Sequence, residues 1–161
     1  MSKPPRDRST SESNIYFVTA NADGNRALFQ SERVANLLIA TLLGYRDRGK
    51  FLVHEFVVMP NHVHLLLTTL RDTTLERALQ LIKGGFSFRA KKKLGINSEI
   101  WQRGYVDHRI RDASDYAQHR AYIHANPVRA GIVNSTTEFR FSPASGNYEL
   151  DGAPQGLKPF S

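Results

Sequence analysis

The stretch FLVHEFVVMPNHVHLLLTTL, residues 51–70, decides the fold. Two apolar runs rich in valine, leucine and phenylalanine flank Pro60 and Asn61. Runs of this length and composition read as strands, and Pro-Asn between them reads as a tight turn. The expectation is an antiparallel hairpin, one strand over 51–59 and the next over 62–70. The second strand carries His62 and His64 on either side of Val63. Alternate residues of a strand face the same way, so both imidazoles leave one face.

Upstream, NIYFVTA (14–20) reads as a first strand and NADGN as the turn after it. Ser31 is placed to cap a helix running to about Arg48, with Val34, Leu37, Leu38, Leu42 and Tyr45 as its apolar stripe. Downstream, a second helix is expected from about Thr74 to Lys93, with Leu75, Ala78, Leu79, Ile82 and Phe86 inward. Gly84-Gly85 should weaken or bend it. IWQRGYVDHRI (100–110) reads as a fourth strand, and Asp112 or Ser114 as the cap of a third helix holding Tyr116 and Tyr122.

The order β-α-β-β-α-β followed by a helix predicts an α+β fold. It is the ferredoxin-like, split-βαβ sandwich: a four-stranded antiparallel sheet, two helices on one face, and a C-terminal helix added. Residues 1–13 read as a disordered polar arm, 14–142 as the folded domain and 143–161 as an irregular tail. There is no internal repeat.

The chain has 161 residues, 40% hydrophobic and 23% charged, enough for one self-sufficient core. It has no cysteine, which removes disulfides, thiolate metal sites and cysteine nucleophiles. No apolar run approaches the ~20 residues a membrane helix needs, and MSKPPRDRSTSES has no hydrophobic signal core. A cytoplasmic protein without a membrane partner is expected. Net charge is +7. Between Lys83 and Arg111, eight basic residues stand against Glu99 and Asp107, nearly the whole excess. Such a concentration favours a polyanion, nucleic acid first, but charge alone does not decide between that and a merely solvated helix face.

Two clusters could carry chemistry. His62 and His64 are spaced to share a metal ion, or they are structural. A cupin would want a glutamate where Thr68-Thr69 stand, and a histidine-triad hydrolase a third histidine where Leu66 stands. A metal hydrolase on a β/α barrel needs a longer chain. The other cluster is DYAQHRAYIHANPVRAG, residues 115–131. On a helix Tyr122 and Asn126 stack one turn apart, with Asp115 and His119 on the same stripe. The competing reading makes Asn126 the N-cap and Pro127 the first residue of a new helix.

Taken together, MPNHVHLLL and YIHANPVRAG resemble the single-tyrosine HUH transposases of the IS200 type, and within them the REP-associated tyrosine transposases. IYFVTA, IKGGFSF and WQRGYVDHRIRDASDY fit the same pattern, from about Asn14 to Val133. The closing FRFSPASGNY matches the family's C-terminal segment only loosely. The resemblance implies that His62, His64 and Asn126 hold a divalent metal and that Tyr122 is the nucleophile. Mg²⁺ and Mn²⁺ are the candidates, with imidazole ligands suiting Mn²⁺ better. Tyr116, on the same helix, is read as core.

It also implies cleavage and strand transfer of single-stranded DNA through a 5′-phosphotyrosine, at hairpin-forming repeats. The alternatives are a non-catalytic protein that binds structured DNA and a metal-dependent phosphohydrolase acting on small nucleotides. Lys83, Arg89, Lys91, Lys92, Lys93, Arg103, Arg109 and Arg111 are the candidate phosphate contacts. Phe86, Phe88, Trp101 and Tyr105 lie among them as possible stacking groups, Phe86 and Trp101 being expected in the core. A monomer is expected, with a dimer as the alternative.

Overall fold

The structure, a computed structural model, describes residues 14–70 and 72–157; the arm expected over 1–13 lies outside the described residues. Four strands, β1 (Ile15–Asn21), β2 (Phe51–Met59), β3 (His62–Thr69) and β4 (Val106–Arg109), form an antiparallel sheet in the order β2-β3-β1-β4. Three helices accompany them: α1 (Glu32–Asp47), α2 (Leu75–Leu94) and α3 (Ala113–Arg129). This is the expected ferredoxin-like α+β arrangement.

The hairpin turns at Pro60-Asn61, pairing Met59 with His62 and Phe51 with Thr69. A bulge between Val53 and Glu55 shifts the register of β2. Strand alternation divides the sheet into two faces. Val18, Ala20, Phe56, Val63, Leu65 and Leu67 face α1 and α2, which contribute Leu38, Leu42, Leu79, Ile82 and Phe86. Ile15, Val57, Met59 and Leu66 face the other way, onto Tyr116 and Ile123 of α3. α3 therefore covers the face that carries His62 and His64.

Local chemistry sets the helix limits. Ser31 accepts from the Val34 N–H at the start of α1, and Asp112 from the Asp115 N–H at the start of α3. α2 ends at Gly95, whose φ of 69° is left-handed. The Gly84-Gly85 pair does not interrupt α2. A side chain on Gly85 would come within 2.5 Å of the Tyr45 hydroxyl oxygen, whereas Gly84 faces open space. Gly85 thus lets α1 seat its tyrosine against α2.

One sequence expectation needs correction, and one competing reading is set aside. The fourth strand is only Val106–Arg109, not 100–110. Trp101 makes an isolated bridge to Ala22, and Gly104, with φ of 78°, breaks the extended chain between the bridge and β4. Nor does a helix begin at Asn126. Asn126 and Pro127 lie in the last turns of α3, both buried. Proline disfavours a helical residue before it and lacks the N–H that would bond Ile123. Burial of Ile123, Asn126 and Pro127 together outweighs that loss so near the helix end.

Past α3 the chain turns back along β2. Val58 N–H donates to the Phe141 carbonyl. Val53 N–H donates to the Asp151 carboxylate and its carbonyl accepts from Asp151 N–H. Tyr148 meets Phe56 edge to face at 5.2 Å. Among the described residues no helix is long and apolar enough to cross a membrane.

Candidate active site

On β3, His62 and His64 bring their Nε2 atoms to 3.1 Å of each other. His62 Nδ1 lies 2.7 Å from Asn61 Oδ1. The amide oxygen only accepts, so Nδ1 carries the proton and Nε2 keeps its lone pair. His64 Nδ1 lies 2.8 Å from Thr19 Oγ1, a hydroxyl able to serve either tautomer. Thr19 stands opposite His64 in the β1–β3 ladder. Burial, helped by the neighbouring His62, pushes His64 down to about 3, and burial lowers His62 as well. Both rings are therefore neutral at ordinary pH and are able to ligate.

α3 lies over this pair. The Tyr122 ring is 5.4 Å from that of His64, edge to face, and 6.0 Å from Phe17. Tyr122 is 38% exposed, unlike most of its neighbours on the sheet side. The Arg129 guanidinium sits over its ring at 5.0 Å. Asn126, one turn beyond, is buried. Two imidazole nitrogens at the spacing of adjacent ligands fit a divalent ion with open positions.

Tyr116 is buried beside His54, facing Glu55, and burial with that carboxylate raises it to about 12. It belongs to the core under α3. Glu55, itself buried on β2, pairs with Arg120 at 3.0 Å and His124 at 2.7 Å, fastening α3 to the sheet. Neither this anchor nor Thr19 or Phe17 was singled out from sequence. Their roles depend on which strands become neighbours, and no local spacing reports that.

The structure divides the basic residues. Lys83 donates to the Gln102 and Gly104 carbonyls, and burial lowers its pKa. It acts as a strut under the loop before β4. Arg89 lies over Tyr45 at 5.5 Å. Lys91, Lys92 and Lys93 are exposed in the last turn of α2, beyond the sheet from the histidine pair. Phe88 is 64% exposed there, with Lys92 5.3 Å over its ring. Arg103, Arg109 and Arg111 lie before, within and after β4, the edge strand. Phe86 is buried against Phe29 and Trp101, and the Trp101 indole donates to the Lys83 carbonyl.

The family model described as "Transposase IS200 like" matches residues 11–126, a span that includes His62, His64, Tyr122 and Asn126. The chain belongs to the IS200-like transposase family. A REP-associated tyrosine transposase of Escherichia coli K12 is 31% identical over 144 residues, 86% of this chain and 84% of that one. Among solved structures, an REP-associated tyrosine transposase bound to an REP hairpin superposes with a TM-score of 0.69 at 27% identity. That match covers 92% of this chain and 90% of the other. A structure from Deinococcus radiodurans R1, at 20% identity and a TM-score of 0.52 over 68% of this chain and 87% of its own, shares the fold. As an IS200-like transposase the chain falls in a DNA-processing class whose members use a divalent metal.

Proposed function

We propose that this chain cuts and rejoins single-stranded DNA by transesterification at Tyr122, at hairpin-forming repeats. The observation that carries the reading is the convergence of two neutral imidazoles, 3.1 Å apart at Nε2, beneath a half-exposed tyrosine 5.4 Å away. The Tyr122 oxygen attacks the scissile phosphorus as its proton leaves. The bond from phosphorus to the 3′ oxygen breaks, and that oxygen takes up a proton. The products are a 5′-phosphotyrosine and a free 3′-OH. A phenolate is a better leaving group than an alkoxide, so the link is reversible without external energy. A divalent ion held by His62, His64 and Asn126 would supply Lewis-acid stabilisation of the charge that builds on the phosphate. Arg129, 5.0 Å over the tyrosine ring, helps to hold it. Glu55, through Arg120 and His124, keeps α3 seated so that the tyrosine stays in line.

The hairpin preference rests on similarity to the transposase solved with its REP hairpin. The test incubates the full chain and Mn²⁺ with a single-stranded oligonucleotide carrying a hairpin and a cleavable flank. A covalent protein–DNA adduct that maps to Tyr122 is expected, lost in His62→Ala and His64→Ala while hairpin affinity persists. Tight binding without any adduct would favour the non-catalytic alternative.

A further inference from the structure

We propose a second divalent-cation site, formed by His108, Asp115 and His119, separate from the His62/His64 pair. The three residues come from the end region of β4, the first turn of α3 and the turn after it. One ligand atom from each lies within 4.8 Å of the others. His108 Nε2 is 2.8 Å from one Asp115 oxygen, while His119 Nδ1 is 3.1 Å from the other and 2.8 Å from the Asp115 backbone carbonyl. Both nitrogens therefore carry protons that an ion would displace, and the two rings, stacked at 4.7 Å, would turn toward it. Ligand atoms of one small cation lie about 3 Å apart when each bond is near 2.1 Å.

The surroundings suit an ion. Asp115 is 6% exposed, and its carboxylate is oriented by the Arg111 backbone N–H at 2.9 Å. Such outer bonds aim first ligands in metal centres. His119 and His108 are 24% and 40% exposed, so the cluster opens to solvent on one side. That leaves an entry path and room for water ligands. Two imidazoles and one carboxylate favour Zn²⁺ or Mn²⁺ over Mg²⁺ or Ca²⁺.

The site is independent of the first. The Phe17 ring stands between them, 5.2 Å from His64 and 4.7 Å from His119. An ion here would tie β4 to α3 only three residues before Tyr122. It would brace the helix without touching the reacting phosphate. The Arg111 guanidinium, 3.6 Å from Asp115 and 78% exposed, is the cation that an ion would displace.

The experiment uses the full chain, stripped of metal by a chelator and then titrated with Zn²⁺ by calorimetry and with Co²⁺ by visible absorption. The His62→Ala/His64→Ala variant should still bind one equivalent and give a Co²⁺ ligand-field spectrum. His108→Gln and His119→Gln, made in that background, should each weaken binding at least about tenfold. Asp115→Asn keeps an oxygen for the Arg111 N–H and should abolish the spectrum; circular dichroism checks its fold. If His62→Ala/His64→Ala takes up no ion, or if His119→Gln binds as tightly as its parent, the proposal fails and the cluster is a hydrogen-bonded hub alone. Adduct formation at Tyr122 is read in separate samples, so its failure would leave this result standing.

Discussion

Tyr122 and Tyr116 share a helix but not a fate. One is half-exposed above two imidazoles; the other is sealed beside Glu55 and raised to about 12. Tyr122→Phe removes one oxygen from a ring that keeps its edge contact with His64. It should bind hairpin DNA with unchanged affinity and form no adduct on a denaturing gel. Tyr116→Phe should retain the adduct, and an adduct lost there and kept in Tyr122→Phe would reverse the assignment. His64 supports a second expectation. It is held at about 3 in the folded chain and returns toward 6.5 on unfolding. Between those values the unfolded chain binds more protons, so stability rises with pH. In metal-free buffer, His64→Gln should flatten that slope by up to about 1.4 kcal/mol per pH unit. Urea melts at stepped pH would show it, and an unchanged slope would mean that His64 is solvated. The shared face of His62 and His64 and the shared stripe of Tyr122 and Asn126 were legible in the sequence because i,i+2 on a strand and i,i+4 on a helix are local spacings; the roles given to them came from the family resemblance. Thr19 and Phe17 were not, because only the pairing of β1 with β3 brings them to His64.

Helices and strands followed their local signals where these agreed with packing. Ser31 and Asp112 cap as their side chains suggest, and Pro60-Asn61 turns the hairpin. Signals failed where burial or a left-handed glycine intervened, as at Asn126-Pro127 and Gly104. The Gly84-Gly85 pair separates propensity from packing. Gly84 meets nothing, so Gly84→Ala should stabilise α2 by about 0.5–1 kcal/mol through helix propensity alone. Gly85→Ala gains the same propensity, but its methyl would drive into the Tyr45 ring, which Arg48 and Arg89 both contact. Thermal melts should therefore move in opposite directions. Equal shifts would show that Tyr45 yields freely.

The molecule as a whole separates a chemical face from a charged one. The histidine pair lies under α3, while the lysine run ends α2 across the sheet. A nucleic acid that touches both must pass around a border of the sheet, and Arg103, Arg109 and Arg111 line the β4 border. Replacing Lys91, Lys92 and Lys93 together by alanine should weaken hairpin binding and lower the log–log salt slope by about 2 if all three meet single-stranded phosphates. A salt titration with an unchanged slope would return the run to a solvated helix end. Charge concentration announced this region in the sequence. The division between Lys83, spent on two carbonyls, and the exposed lysines did not, because both are simply lysines on one helix.

The return of the chain along β2 has a consequence for self-association. A strand at the rim of a sheet offers unpaired backbone groups that can template a neighbouring copy. Here Phe141 and Asp151 occupy such groups on Val53 and Val58. A chain ending at Gly146 would keep the described helices and strands, yet Val53 would lose both of its Asp151 bonds. Light scattering after size exclusion should find concentration-dependent oligomers of that shortened chain and a smaller species for the intact one. With the β2 rim occupied, the border left for a foreign strand among the described strands is β4, where Val106 is 67% exposed.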